Sequence, residues 1–160
     1  MVREILLLGN EALYQVSQPV GDSEDVRAVI TDLHDTLMAF RDQHGFGRAV
    51  AAPQIGVHKR IIYLHSDHQS TALINPTLEF LDGETMEVLD DCMSFPGLLV
   101  KVRRHRRCRV RYLDEQRRPQ SLLLEGDLSE LLQHEYDHLD GILATMRAVD
   151  GKAFVLAPRP

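Results

Sequence analysis

The stretch Asp127-Leu128-Ser129-Glu130-Leu131-Leu132-Gln133-His134-Glu135-Tyr136-Asp137-His138-Leu139-Asp140-Gly141 decides how this chain is read. Leu128, Leu131, Leu132 and Leu139 recur at helical spacing. Asp127 with Glu130 three residues later forms a capping-box-like start, and Gly141 is a natural stop. The predicted helix places His134 and His138 one turn apart on one face. Two imidazoles at that spacing can bind one metal ion, with Glu135 close enough to act on water beside it. The plain alternative is a solvated helix with incidental histidines. It is disfavoured because cap, stripe and stop together mark a real helix.

Two histidines do not hold a catalytic metal, so a third protein ligand is expected. Position 144 is alanine, not the third histidine that an extended H-x-x-G-x-x-H pattern requires, and no glutamate follows Glu135. Asp137, Asp140 and Asp150 remain, but the first two lie too close along the helix to bend back comfortably. Upstream, Cys92 stands in Asp90-Asp91-Cys92-Met93-Ser94-Phe95-Pro96-Gly97. A thiolate is a strong ligand for a borderline metal, and a metal would keep it deprotonated. The competing reading is a small buried hydrophobe; Cys108 takes that reading, whereas Cys92 is the candidate ligand.

Working outward, the apolar spacing of Val26, Val29, Ile30, Leu33, Leu37 and Phe40 predicts a one-faced helix over 23–43, capped by Ser23 and ended by Gly45 and Gly47. Residues 1–24 read as mostly irregular. Short strands are expected over 60–64, 71–74, 78–80, 108–112 and 122–124. In 108–112, period-two alternation sends Cys108, Val110 and Tyr112 inward and Arg107, Arg109 and Arg111 outward. The class is therefore α+β: short, mostly antiparallel strands packed around the last helix, with one helix near the N-terminus. Between the first helix and the strands runs Gly45-Phe46-Gly47-Arg48-Ala49-Val50-Ala51-Ala52-Pro53-Gln54-Ile55-Gly56. Its small residues permit close backbone approach, and the Gln54 amide can donate hydrogen bonds. Alone, this segment is as consistent with a tight connection as with a substrate cleft.

The chain has 160 residues and 18.2 kDa, with 44% hydrophobic and 26% charged residues. That predicts a single domain over 1–160 with a sizeable core, neither disordered nor fibrous. A net charge of −6 argues against wholesale nucleic-acid binding, and no specific DNA partner is expected. Two cysteines make no disulfide framework and fit a reducing, cytoplasmic compartment. No run has the length of a membrane span or a secretory signal.

Taken together, Gly47-Arg48-Ala49-Val50-Ala51-Ala52-Pro53-Gln54, Asp90-Asp91-Cys92-Met93-Ser94 and His134-Glu135-Tyr136-Asp137-His138 resemble, in order and spacing, the three motifs of the peptide deformylases. Those motifs are G-x-G-φ-A-A-x-Q, E-G-C-φ-S and H-E-x-D-H. Gly9, Leu13, Pro19 and Val20, Phe95-Pro96-Gly97 and the 110–114 segment are also similar, so the resemblance covers nearly the whole chain. It implies a metal-dependent hydrolase that removes the formyl group from the N-terminal methionine of nascent polypeptides. Cys92, His134 and His138 would hold one divalent metal, iron(II) by preference with nickel, cobalt or zinc as substitutes, and Glu135 would be the base. Gln54 and the Met93 backbone N–H would face the developing oxyanion. The peptide would lie along Gly47, Arg48, Ala49 and Val50 as an added strand, with Leu131 a candidate wall for the methionine side chain. Asp90 would pair with Arg104.

The chain departs from the motifs at four positions. Ala49 replaces a glycine, Arg48 an apolar residue, Asp90 a glutamate and Asp91 a small residue. The shorter Asp90 carboxylate predicts a looser or water-bridged contact with Arg104. The chain runs only 22 residues past His138, without a long basic C-terminal helix. Two other function classes remain open: a hydrolase of a different N-acyl substrate, in which Arg48 recognises an acidic group, and a non-catalytic metal- or peptide-binding homologue. The intact Glu135 speaks against the second. Finally, Lys101, Arg103, Arg104, Arg106, Arg107, Arg109 and Arg111 put seven of the 18 basic residues into one short stretch. A weak ribosomal RNA contact is one reading, and a solvated strand face is the favoured one.

Overall fold

The structure, a computed structural model, describes residues 1–157; residues 158–160 of the expected domain lie outside the described residues. In chain order the elements are α1 (Arg27–His44), β1 (Ala49–Ala51), β2 (Ile61–Ser66), β3 (Gln69–Phe80), β4 (Thr85–Asp90), β5 (Leu98–His105), β6 (Arg107–Leu113), β7 (Pro119–Glu125), α2 (Asp127–Leu139) and β8 (Phe154–Leu156). Short 3-10 turns occupy Glu11–Tyr14, Ala52–Ile55 and Ala144–Arg147.

Every strand pairing is antiparallel. One sheet has five strands in the order β1-β2-β3-β6-β7, and a second has three, β4-β5-β8. The larger sheet is covered on both faces. Val50, Ile61, Tyr63, Ala72 and Ile74 meet Leu33, Leu37 and Phe40 of α1. Their neighbours Ala49, Ala51, Ile62, Leu64, Leu73, Cys108, Val110 and Tyr112 meet Leu132 and Leu139 of α2. Burial of both faces explains why residues 61–64 are continuously apolar rather than alternating. The α+β class stands: antiparallel strands pack on the last helix, and the larger sheet lies between it and the N-terminal helix.

Three local expectations are corrected. Ser23 does not cap α1; the helix begins at Arg27, whose N–H is taken by the Asp25 carboxylate at 3.0 Å. Asp127 is not a side-chain cap either, because Gly126 holds the cap position and makes no side-chain bond. The two strands expected over 71–80 are a single strand, β3, with a register shift between Ile74 and Thr77. The C-terminal signals behave as read. Gly45 caps α1 in the left-handed conformation, its N–H bonded to the Arg41 carbonyl.

Candidate metal centre

The two sheets each contribute to one buried cluster. Leu132 and Leu139 anchor α2 on the five-stranded sheet, which turns His134, Glu135 and His138 into the interior with 4%, 4% and 1% of their surface exposed. The turn after β4 supplies Cys92, packed with Phe95, Val100 and Val102 of the smaller sheet's core. Ligand atoms of Cys92, His134 and His138 all lie within 4.8 Å of one another. Cys92 Sγ is 3.4 Å from His138 Nε2. His134 turns Nδ1 to the Asp90 carboxylate at 3.1 Å and leaves Nε2 buried without a partner. A buried orphan imidazole nitrogen beside a sulfur and a second imidazole is a donor set that suits a first-row divalent metal ion. The residues present fit such an ion.

The charges are uneven. Burial opposes the His134 cation, yet the Cys92 sulfur and the Asp90 carboxylate prevail and raise its pKa well above the ordinary histidine value. Burial, with His134 beside it, pushes His138 well below that value, so its ring is neutral. Burial also lifts the Glu135 carboxyl to about 7, and its Oε2 has no partner. That places Glu135 where a proton acceptor for neutral pH is most useful.

Asp90 and Arg104 do meet directly. Arg104 Nη2 donates to Asp90 Oδ2 at 2.7 Å, which corrects the expectation of a looser or bridged contact. Adjacent pairing of β4 with β5 brings the shorter side chain close enough. The same guanidinium donates through Nη1 to Asp137 at 2.7 Å, and Arg147 donates to Asp137 at 2.6 and 3.0 Å. Asp137 and Arg147 had no such role in the sequence reading. The available signal was Asp137's place between two histidines on the buried side of α2.

Gln54 also reaches the cluster. Its Oε1 accepts the Ala51 N–H at 2.9 Å, which turns Nε2 towards Cys92 Sγ at 3.5 Å and Ser94 Oγ at 3.1 Å. Ser94, 1% exposed, is part of the second motif but carries no role in the sequence reading; its N–H also points at Cys92 Sγ, 3.5 Å away. Met93 is buried beside Cys92. A recess of about 80 Å³ opens at the cluster, lined by Gly47, Arg48, Ala49, Glu130, Leu131 and Glu135 together with Cys92 and His134. Val50 does not line it; its side chain belongs to the α1 face of the core. β1 pairs with β2 along one edge only and closes that end of its sheet.

A family model described as polypeptide deformylase matches residues 2–153. The chain belongs to the polypeptide deformylase family. It is 37% identical over 166 residues to peptide deformylase 1 of Prochlorococcus marinus (strain MIT 9313), covering 96% of this chain and 84% of that one. It is also 37% identical over 142 residues to the peptide deformylase of Treponema pallidum (strain Nichols), covering 88% and 84% of the two chains. Among solved structures, the Synechococcus elongatus deformylase in complex with actinonin superposes with a TM-score of 0.85 at 32% identity, covering 93% of this chain and 80% of that one. The Thermotoga maritima deformylase gives a TM-score of 0.84 at 29% identity, covering 94% and 99%. The fold around the Cys92, His134 and His138 cluster is thus the deformylase fold.

The deformylase's basic stretch is largely neutralised by its own carboxylates. Arg103 faces Glu87, Arg106 faces Glu84, Arg107 faces Asp82, Glu84 and Glu125, and Arg109 and Arg111 share Glu79. This pairing accords with the solvated strand face. No helix among the described residues is long and apolar enough to cross a membrane.

Proposed function

We propose that this deformylase hydrolyses the N-formyl group of N-formylmethionyl peptides, releasing formate and a free amino terminus. The carrying observation is the convergence of Cys92, His134 and His138 beside the buried, unpartnered carboxylate of Glu135. Cys92, His134 and His138 would hold one divalent ion, with iron(II) the proposed native metal. When bound there, the ion supplies Lewis-acid polarisation of water and of the formyl carbonyl. Glu135 removes a proton from the attacking water as the carbon–oxygen bond forms. It then delivers that proton to the departing nitrogen as the carbon–nitrogen bond breaks. The Gln54 amide and the Met93 N–H donate to the oxygen that gains charge. Asp90, itself held by Arg104, fixes the His134 ring through Nδ1, so that Nε2 faces the ligand cluster.

The substrate backbone runs along Gly47–Val50 and adds to the unpaired edge of β1. Leu131 forms part of the wall for the first side chain. Nascent chains would make the cytoplasm the working compartment. The neutralised basic stretch gives little support to an electrostatic ribosome contact. The decisive assay uses protein loaded with iron(II) without oxygen and offers formyl-Met peptides beside acetyl-Met and formylated acidic controls. Formate release from formyl-Met peptides alone supports the proposal. Release only from the acidic controls supports a hydrolase of a different N-acyl substrate, and no turnover supports a non-catalytic homologue.

A further inference from the structure

The recess at the metal centre shares Arg48 with a larger groove. That groove, about 500 Å³, is lined by Arg41, Arg48, His65, Asp67, His68 and Leu128 among others. Arg48 lies in the wall of both, so the two spaces are neighbours and one side chain addresses each. Arg41 comes from the last turn of α1, and its Nη1 donates only to the Gly47 carbonyl. Arg48 is exposed, in the approach to β1, where its carbonyl accepts the His65 N–H at 2.7 Å.

The electrostatics of this groove differ from those of the β5 and β6 surface. The arginines of β5 and β6 all sit opposite carboxylates, whereas Arg41 and Arg48 face none among the described residues. Asp67 is the one acidic residue in the groove's lining. His65 has a pKa below the ordinary histidine value, held down by burial first and then by Arg41 and His68. The lining of the catalytic recess also includes Asp91 and Glu130. A negative side chain entering the recess is repelled there and drawn towards Arg48. Unpaired arginine is well suited to such a group, because its planar fork accepts a carboxylate through two hydrogen bonds.

We infer that the groove selects N-formylmethionyl peptides carrying a carboxylate at their second or third residue, with Arg48 as the principal contact and Arg41 behind it. The inference rests on the proposed deformylase activity and names the substrate class that this particular chain prefers. It assigns a specificity role to Arg48, which stands at a variable position of the first motif. Because the contact is partly exposed, its effect is of modest size and weakens with salt.

The test compares formyl-Met tripeptides in pairs, with glutamate or glutamine at position two or three, on the metal-loaded enzyme. At one position or more, kcat/KM for the glutamate peptide should exceed its glutamine twin by about fivefold, chiefly through KM. The ratio should fall as ionic strength rises. It should approach one in Arg48→Gln, survive in part in Arg48→Lys, and persist in Arg111→Gln, whose arginine pairs with Glu79 outside the groove. Circular dichroism confirms that each variant is folded. Equal kcat/KM within both pairs overturns the inference, as does a preference that Arg48→Gln retains, and either result leaves the deformylase activity standing. If no formyl peptide is hydrolysed, the proposed activity fails. The same pairs are then compared by calorimetry: a glutamate advantage lost in Arg48→Gln upholds the inference, and equal or absent binding overturns it.

Discussion

Glu135 is the side chain whose surroundings conflict most with its chemistry. A carboxylate with 4% of its surface exposed and one oxygen unpartnered is costly to ionise. In the unfolded chain it titrates near 4.5, and burial raises it to about 7 in the fold. The folded state therefore binds the extra proton between those values, and stability falls as pH rises from 4.5 through 7, then levels off. In metal-free protein, Glu135→Gln should gain roughly 3 kcal/mol over wild type at pH 8 and almost nothing near pH 4. Paired thermal melts at both pH values measure this; equal gains at both would disprove it. With metal restored, the same variant should retain the ion by metal analysis yet lose roughly 10²–10⁴ in kcat. Gln54→Ala should lower kcat by roughly 10²–10³ with the ion retained. An unchanged kcat would reduce Gln54 to its structural bonds with Ala51, Cys92 and Ser94.

At the scale of elements, the helices were the most legible parts of the sequence and the smaller sheet the least. Period-3.6 stripes revealed both helices, and period-two alternation revealed β6, because their buried faces are apolar. β4 and β5 escaped for the opposite reason. Each turns a charged residue inward, Asp90 and Arg104, so the hydrophobic pattern breaks where the two form their ion pair. β1 is three small residues, and β8 has no buried position. The cluster residues fared better, since H-E-x-x-H spacing is local and the missing downstream ligand directed attention to Cys92. Asp137 and Arg147 were not assigned as partners because their role exists only once Arg104 arrives from another sheet.

That ion cluster makes its own prediction. Arg104, 3% exposed, holds Asp90 and Asp137 together, so Arg104→Ala leaves Asp90 buried without its arginine and Asp137 with Arg147 alone. A loss of about 3–5 kcal/mol in denaturant unfolding is expected, and a loss below about 1 would show the cluster to be dispensable. At the end of α2 the constraint is steric. Gly141 has φ +72°, and a Cβ there would stand 2.4 Å from the Tyr14 carbonyl oxygen. Gly141→Ala must displace the 3-10 turn at Glu11–Tyr14 and should lower the melting temperature by several degrees, roughly the effect of 1–3 kcal/mol in a domain this size.

Across the whole molecule, the ligands come from bodies with separate cores. Cys92 rides on the three-stranded sheet, whereas His134 and His138 ride on the helix packed against the five-stranded one. An ion gripped by all three would act as a rivet between two plates, otherwise fastened here by the Arg104 cluster. Stripping it with a chelator should do more than stop turnover. Amide exchange should quicken in β4, β5 and the turn bearing Cys92, while β2 and β3 keep their protection. The deformylase would then report its own metal loading through the stiffness of one half of its body.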